Sequence, residues 1–261
     1  MMSVMNDKIQ VLIDNEKCTG CGLCVADCQR KDLEIQNKKA VPLNKHCFIC
    51  GHCLAICPEK AVKLNGLADE VWDLPNGPVF LDEKSLKTHL KFRRSVRQFK
   101  GIQVEKEKLE KIIEAGRLTP TASNAQNVRY IVIQNGINES EDAVLAQYRN
   151  PVGFSVPYTF IQDRLKRGFL FHEAPVVVLV ISQFEINACL AAMSMELMAE
   201  AVGLGVVYVG LFTRPANVNN ELRASLGIVE GESIAACLAM GYPDVKYFRS
   251  APKKDAIVKW V

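Results

Sequence analysis

Eight of the ten cysteines fall between residues 18 and 57, and their spacing constrains the chain more than any other feature. "CTGCGLCVADC" contains Cys18, Cys21, Cys24 and Cys28, and "CFICGHCLAICP" contains Cys47, Cys50, Cys53 and Cys57. Both read C-x2-C-x2-C-x3-C, and the second overlays the first at an offset of 29 residues. The overlay extends past the thiols: Asn15 falls on Asn44, Gly22 on Gly51, Ala26 on Ala55, Leu33 on Val62 and Ile35 on Leu64. One small unit has been duplicated within the chain.

The spacing has a physical reason. Three closely spaced thiolates wrap one corner of an iron–sulfur cube, and the fourth points to a neighbouring cube. Each [4Fe–4S] cluster then takes three ligands from one repeat and one from the other. That assigns Cys18, Cys21, Cys24 and Cys57 to one cluster, and Cys47, Cys50, Cys53 and Cys28 to the second. Structural zinc takes separated pairs of ligands instead. The start, "MMSVMNDKIQ", lacks the apolar core of a signal peptide, so a cytoplasmic location is expected. In that reducing compartment crowded thiols are metal ligands rather than a disulfide framework. The segment closely resembles a bacterial two-cluster ferredoxin. Pro58 follows its cysteine as in that family, whereas Gln29 stands where a proline is expected after Cys28. A unit of about 60 residues buries little apolar surface, so the clusters are expected to hold it folded.

The chain has 261 residues, 49% of them hydrophobic and 23% charged, which accommodates this small unit and one ordinary domain. A net charge of +3 gives no support for a nucleic-acid partner. No apolar run reaches the roughly 18 residues of a membrane span. Residues 1–64 are expected to form the ferredoxin-like domain, 65–84 a linker, and 85–261 a second domain. Val71 and Trp72 are expected to anchor the linker to that domain. Cys189 and Cys237 lie in apolar segments and read as buried core thiols.

Beyond the linker, helix and strand signals alternate. Helices are expected at 84–92, 105–117, around 138–148, and at 187–202, the last ended by Gly203. Strands are expected at 128–134, 174–182, "VVYV" and "IAACLAM". No G-x-G-x-x-G follows a strand and no P-loop occurs, so neither nucleotide fold is supported. Glu196 and Glu200 lie one helical turn apart and read as a polar stripe or partner contact. His46 and His52 flank cluster cysteines and read as surface histidines.

Four motifs stand in order in this region: "RRSVRQF" (93–99), "TPTASNAQN" (119–127), "GLGVVYVG" (203–210) and "GYPDVKYFRSAPKK" (241–254). Together they make residues 85–261 similar to FMN-dependent nitroreductases. The resemblance implies an α+β fold: a nitroreductase-like α-β-α FMN domain preceded by the two-[4Fe–4S] domain. It implies that Arg93, Ser95 and Arg97 contact the FMN phosphate and ribityl chain, with Arg94 in the neighbouring motif position. Arginine suits that task, because its planar fork offers several donors to phosphate. It further implies Lys253 and Lys254 at the phosphate, Asn124 and Gln126 at the ring or ribityl chain, and Tyr208, Val209 and Gly210 beside the flavin N5. Glycine there lets backbone approach the ring plane.

The flavin carries the redox chemistry in such proteins, so no acid–base catalytic residue is named. FMN sits at the interface of an intertwined homodimer in this family, and "YRNPVGFSVPYTF" (148–160) would line the acceptor pocket. Ordinary members take hydride from NAD(P)H. The added clusters point instead to ferredoxin or another one-electron donor. An electron-poor small molecule, such as a nitroaromatic or quinone, is the expected acceptor. A non-catalytic electron-transfer or redox-sensing flavoprotein remains the alternative.

Overall fold

The computed structural model describes residues 9–67, 69–75, 81–151 and 164–261. The chain divides into two compact units. The first runs to Val79 and includes Ala122–Ala125; the second holds Phe80–Thr121 and Gln126–Val261. The first unit therefore extends beyond the expected boundary at residue 64 and takes in four residues from far along the chain.

In the first unit the duplication is visible element by element. β1 (Gln10–Ile13), α1 (Leu23–Ala26) and β2 (Leu33–Gln36) recur 29 residues later as β3 (Lys39–Pro42), α2 (His52–Ala55) and β4 (Val62–Asn65). β1 pairs antiparallel with β4, and β2 with β3, so each ribbon takes one strand from each repeat. Neither repeat closes alone. Gly20 shows how tightly the chain winds: a Cβ there would lie 2.1 Å from the Lys38 carbonyl oxygen. Its counterpart in the second repeat is Ile49, held at φ 56°, a conformation that strains a β-branched residue. Val11, Leu33, Ala40, Ala61 and Val62 pack with Cys18, Cys24 and Cys53 into one small core.

Past β4, Lys60 pairs with Asp73 at 2.6 Å. Val71 and Trp72, expected to anchor the linker, are exposed, Trp72 to 85%. An extended stretch with two apolar side chains and no periodicity carries no force that would seat them.

The second unit is a three-layer sandwich. α3 (Glu83–Phe92) opens with Asp82, whose carboxylate accepts the Ser85 N–H at 2.7 Å. There follow α4 (Lys106–Arg117), β5 (Arg129–Ile133), α5 (Ile137–Arg149), β6 (Val176–Ser182), α6 (Glu185–Ala201), β7 (Gly205–Tyr208), α7 (Gly210–Val218), α8 (Asn220–Ser225) and β8 (Ser233–Gly241). The sheet order is β5-β6-β8-β7, with every pair antiparallel. β6 is buried along its whole length, so period two sorts its side chains between two cores. Val177, Leu179 and Ile181 face a layer that includes α5, α7 and α8 residues. Val176, Val178 and Val180 face α4 and α6. A bulge opposite Val180/Ile181 resets the register of β8. No helix of the described residues is long and apolar enough to cross a membrane.

Candidate functional site

The thiols group as the spacing requires. Cys18, Cys21, Cys24 and Cys57 line one cavity with Ile13, Ala40, Ala61 and Val62. Across the unit, Cys53 lies within electrostatic reach of Cys47, Cys50 and Cys28. Each group thus has three members from one repeat and one from the other. Gly22 and Gly51, both left-handed, cap α1 and α2 and turn the cysteine loops onto these sites.

Backbone donors are aimed at sulfur in both groups. Ala40 N–H reaches Cys18 Sγ at 3.4 Å and Ala61 N–H reaches Cys57 Sγ at 3.3 Å. Asp32 N–H reaches Cys28 Sγ and Ile49 N–H reaches Cys47 Sγ, each at 3.3 Å. Amides pointed at sulfur favour thiolate, the form that binds metal. Burial works the other way on the free thiols, raising Cys24 and Cys47 and pushing Cys53 up to about 11. A bound cation would offset that penalty at Cys24, Cys47 and Cys53. These donors and this grouping fit two [4Fe–4S] clusters. His46 and His52 are exposed, as expected; His52 Nδ1 lies 3.2 Å from Asp27 Oδ2.

In the second unit "RRSVRQF" is held against the sheet edge. Val96 N–H donates to the Val206 carbonyl at 3.0 Å, and Ser95 bridges to Val206 in parallel. Gly205 permits this approach, since a Cβ there would lie 2.5 Å from Val96 Cγ2. The segment is thereby brought beside β7 and the β7–α7 corner, where Tyr208, Val209 and Gly210 lie. The three arginines then part. Arg93 forms a 2.6 Å ion pair with Glu196, which is only 2% exposed. Arg94 lies over the Tyr247 ring at 5.8 Å. Arg97 is exposed, and its charge bears on His172. Among the described residues neither Arg94 nor Arg97 has a carboxylate partner, which leaves both guanidinium groups available to an anion.

Glu196 and Glu200 are not a polar stripe. Glu196 is buried between Arg93 and the Tyr208 hydroxyl, and Glu200 lies 3.0 Å from His89. Burial pushes the Tyr208 hydroxyl and the Glu200 carboxyl up. At the corner, Val209 N–H is taken by the Cys237 carbonyl at 2.8 Å. Val209 therefore cannot offer its amide to a ring. Gly210 begins α7, so its N–H has no intrahelical acceptor. Among the described residues, nothing beyond its chain neighbours and its own helix backbone lies within 4 Å of a Cβ built on Gly210, so crowding by those residues is not what calls for glycine there.

Asn124 departs from its expected setting. It sits in the first unit, with Nδ2 donating to the Phe48 and Ile49 carbonyls, each at 2.9 Å. Ser123, Asn124 and Gln126 all have positive φ, and Gln126 N–H donates to Thr121 Oγ1. Lys253 lies along α3 with Glu83, Leu86, Lys87 and Leu90, and Lys254 is exposed. Of the two outlying thiols Cys237 is buried, whereas Cys189 is exposed on α6, against expectation. The acceptor-loop stretch 152–160 lies outside the described residues. Two buried acids have no counterpart in the sequence reading, Asp32 and Glu141, and the partner of Glu196 lies 103 residues away. Asp32 was within reach, because the repeat overlay sets it opposite Ala61.

Comparisons with known proteins agree with this geometry. Residues 10–58 match the 4Fe-4S dicluster domain, and residues 90–242 match the Nitroreductase family. Ferredoxin-2 of Desulfomicrobium norvegicum is 53% identical over 32 residues, covering 12% of this chain and 54% of that protein. A protein of Archaeoglobus fulgidus, provisionally named an NADH dehydrogenase/NAD(P)H nitroreductase, is 28% identical over 61% of this chain and 86% of its own length. The crystal structure of a nitroreductase with bound FMN from Bacteroides fragilis shares the fold at 20% identity and a TM-score of 0.58. It covers 69% of this chain and all of the other. With its family match spanning more than half its length, behind a 4Fe-4S dicluster domain, the chain belongs to the nitroreductase family.

Proposed function

We propose that the protein is an iron–sulfur flavoprotein oxidoreductase that reduces an electron-poor small molecule, such as a nitroaromatic or quinone. One observation carries this reading: eight thiols regroup across two repeats with backbone amides aimed at four sulfurs, in a chain whose other unit is a nitroreductase. When bound, two [4Fe–4S] clusters and FMN supply one-electron carriage and the delivery of electrons to the acceptor.

The chain's own residues bind and orient. Arg94 and Arg97, with Ser95 between them, would offer donors to a phosphate, and the Gly210 N–H would be a donor for the flavin ring. Glu196 fixes Arg93 by an ion pair, and its charge lies near the Tyr208 hydroxyl. Arg93 keeps further guanidinium N–H groups for the phosphate. Gln126 remains a proposed ribityl contact. Asn124 keeps only its Oδ1 for such a role, since both of its N–H groups are engaged. Lys253 and Lys254 are retained as phosphate contacts within a homodimer. Ile186, Leu190 and Met193 on α6, and Phe248, Ile257 and Trp260 in the tail, are exposed and support such a pairing. A reducing cytoplasm suits the thiols.

The cluster domain favours reduced ferredoxin, or another one-electron donor, over NAD(P)H. Anaerobic stopped-flow reduction tests this. Reduction of the flavin by reduced ferredoxin, faster than by NADH or NADPH, supports the reading; the reverse order contradicts it. Steady anoxic turnover of a nitroaromatic or quinone supports an enzyme, and its absence supports electron transfer alone.

A further inference from the structure

The two cluster sites are copies of one another, yet their electrostatic surroundings differ. Residue 32 of the first repeat corresponds to residue 61 of the second, and the backbone does the same work at both. Asp32 N–H donates to Cys28 Sγ, and Ala61 N–H donates to Cys57 Sγ, each at 3.3 Å. The side chains diverge. Ala61 adds a methyl group to the wall around Cys18, Cys21, Cys24 and Cys57. Asp32 instead puts a carboxylate, 4% exposed, beside the other set. Its Oδ1 accepts the Lys45 and His46 N–H groups at 3.0 and 3.1 Å, and among the described residues its buried Oδ2 has no hydrogen-bond partner.

A second difference acts in the same direction. Lys39, the first residue of β3, donates from Nζ to the Cys18 carbonyl. Its counterpart at the start of β1 is the neutral Gln10. Lys39 thus adds a cation at one site, while Asp32 places a buried anion at the other. Exposed charges differ in the opposite sense: Arg30 donates to the His46 carbonyl beside Cys47, and its counterpart Glu59 lines the cavity of Cys18, Cys21, Cys24 and Cys57. Both are exposed, so solvent screens them more than the buried Asp32. Two backbone N–H groups reach sulfur on each side, and each set holds one exposed cysteine. Cluster potentials follow net charge, hydrogen bonds to sulfur and exposure, so charge is what distinguishes the pair.

We propose that Asp32 is a potential-setting residue: its buried carboxylate holds the cluster of Cys28, Cys47, Cys50 and Cys53 at a lower reduction potential than its duplicate. The first electron entering the unit then rests on the cluster of Cys18, Cys21, Cys24 and Cys57. This rests on the iron–sulfur reading given above. Negative charge near a cluster disfavours the reduced state, and at a site this buried solvent screens the interaction poorly.

The test is an anaerobic potentiometric titration of the purified full chain, followed by electron paramagnetic resonance of the reduced clusters. Asp32→Asn and Asp32→Ser remove the charge, and each keeps an oxygen for the Lys45 and His46 amides. The wild type is expected to show two separated midpoints. In either variant the lower one should rise by at least a tenfold change in its reduction equilibrium, about 59 mV for one electron, while the upper stays in place. A smaller rise, or equal movement of both midpoints, overturns the proposal. Loss of iron from the wild type would instead defeat the iron–sulfur reading, and iron analysis on the same samples tells the two failures apart.

Discussion

At the scale of single residues, the grouping of the eight cysteines was legible in their spacing, because three close thiols and one distant one must come from different repeats. The arginines were only partly so. Three cations close together read alike in sequence, but Arg93 is bound to a buried Glu196 from 103 residues away. Arg93→Ala would leave that carboxylate buried without its partner. It should cost about 3 kcal/mol, seen as a lowered unfolding midpoint of the nitroreductase unit. Arg97→Ala removes an exposed side chain, so it should lower flavin occupancy with little change in that midpoint. Equal stability losses from both would contradict this division of roles. His172 offers a pH test. Burial foremost, and the Arg97 charge second, hold its pKa below the usual histidine value of 6.5. The folded state then binds the proton more weakly than the unfolded chain. The contribution is fully present above about pH 6.5 and is lost as pH falls toward the folded value. In thermal unfolding between pH 7.5 and 5, His172→Asn should flatten the decline on the acid side. An unchanged slope would assign it to other groups.

At the scale of elements, the long helices and apolar strands of the second unit were readable from periodicity, and their observed ends fall close to those expected. β6 read as a buried strand, and the structure gives the reason: both of its faces lie against helices. The short elements were not legible. Four-residue strands such as β1 and β3 leave no periodic signal, and Pro215 inside α7 hides a helix. Nor could sequence show that Asn124 belongs with the first unit, since a loop amide has no periodicity to betray its partner. The contact that matters most to the flavin site at this scale is β7 against the arginine segment. Gly205→Ala would drive a methyl group into Val96, costing roughly 1–3 kcal/mol. It should displace Ser95 and lower flavin content while iron stays constant. Full flavin content with normal stability would show that this approach does not shape the site.

At the scale of the whole molecule, the duplication, the two-unit division and the order of the units were all present in the sequence. Residues 65–75, expected as part of a linker, group with the first unit, and they carry turns and charges rather than a periodic pattern. The first unit has a small core in which buried thiols take the place of larger apolar side chains. Anaerobic iron removal should therefore unfold this unit while leaving the circular dichroism of the nitroreductase unit largely intact. Survival of the first unit without iron would show that its apolar contacts suffice. The central claim is that one chain carries two four-iron clusters and a flavin. Anaerobic purification, followed by iron, sulfide and flavin analysis of the same sample, tests it directly. The expected result is about eight iron, about eight sulfide and about one FMN per chain. Zinc in place of iron, or a preparation that cannot be loaded with flavin, would contradict it.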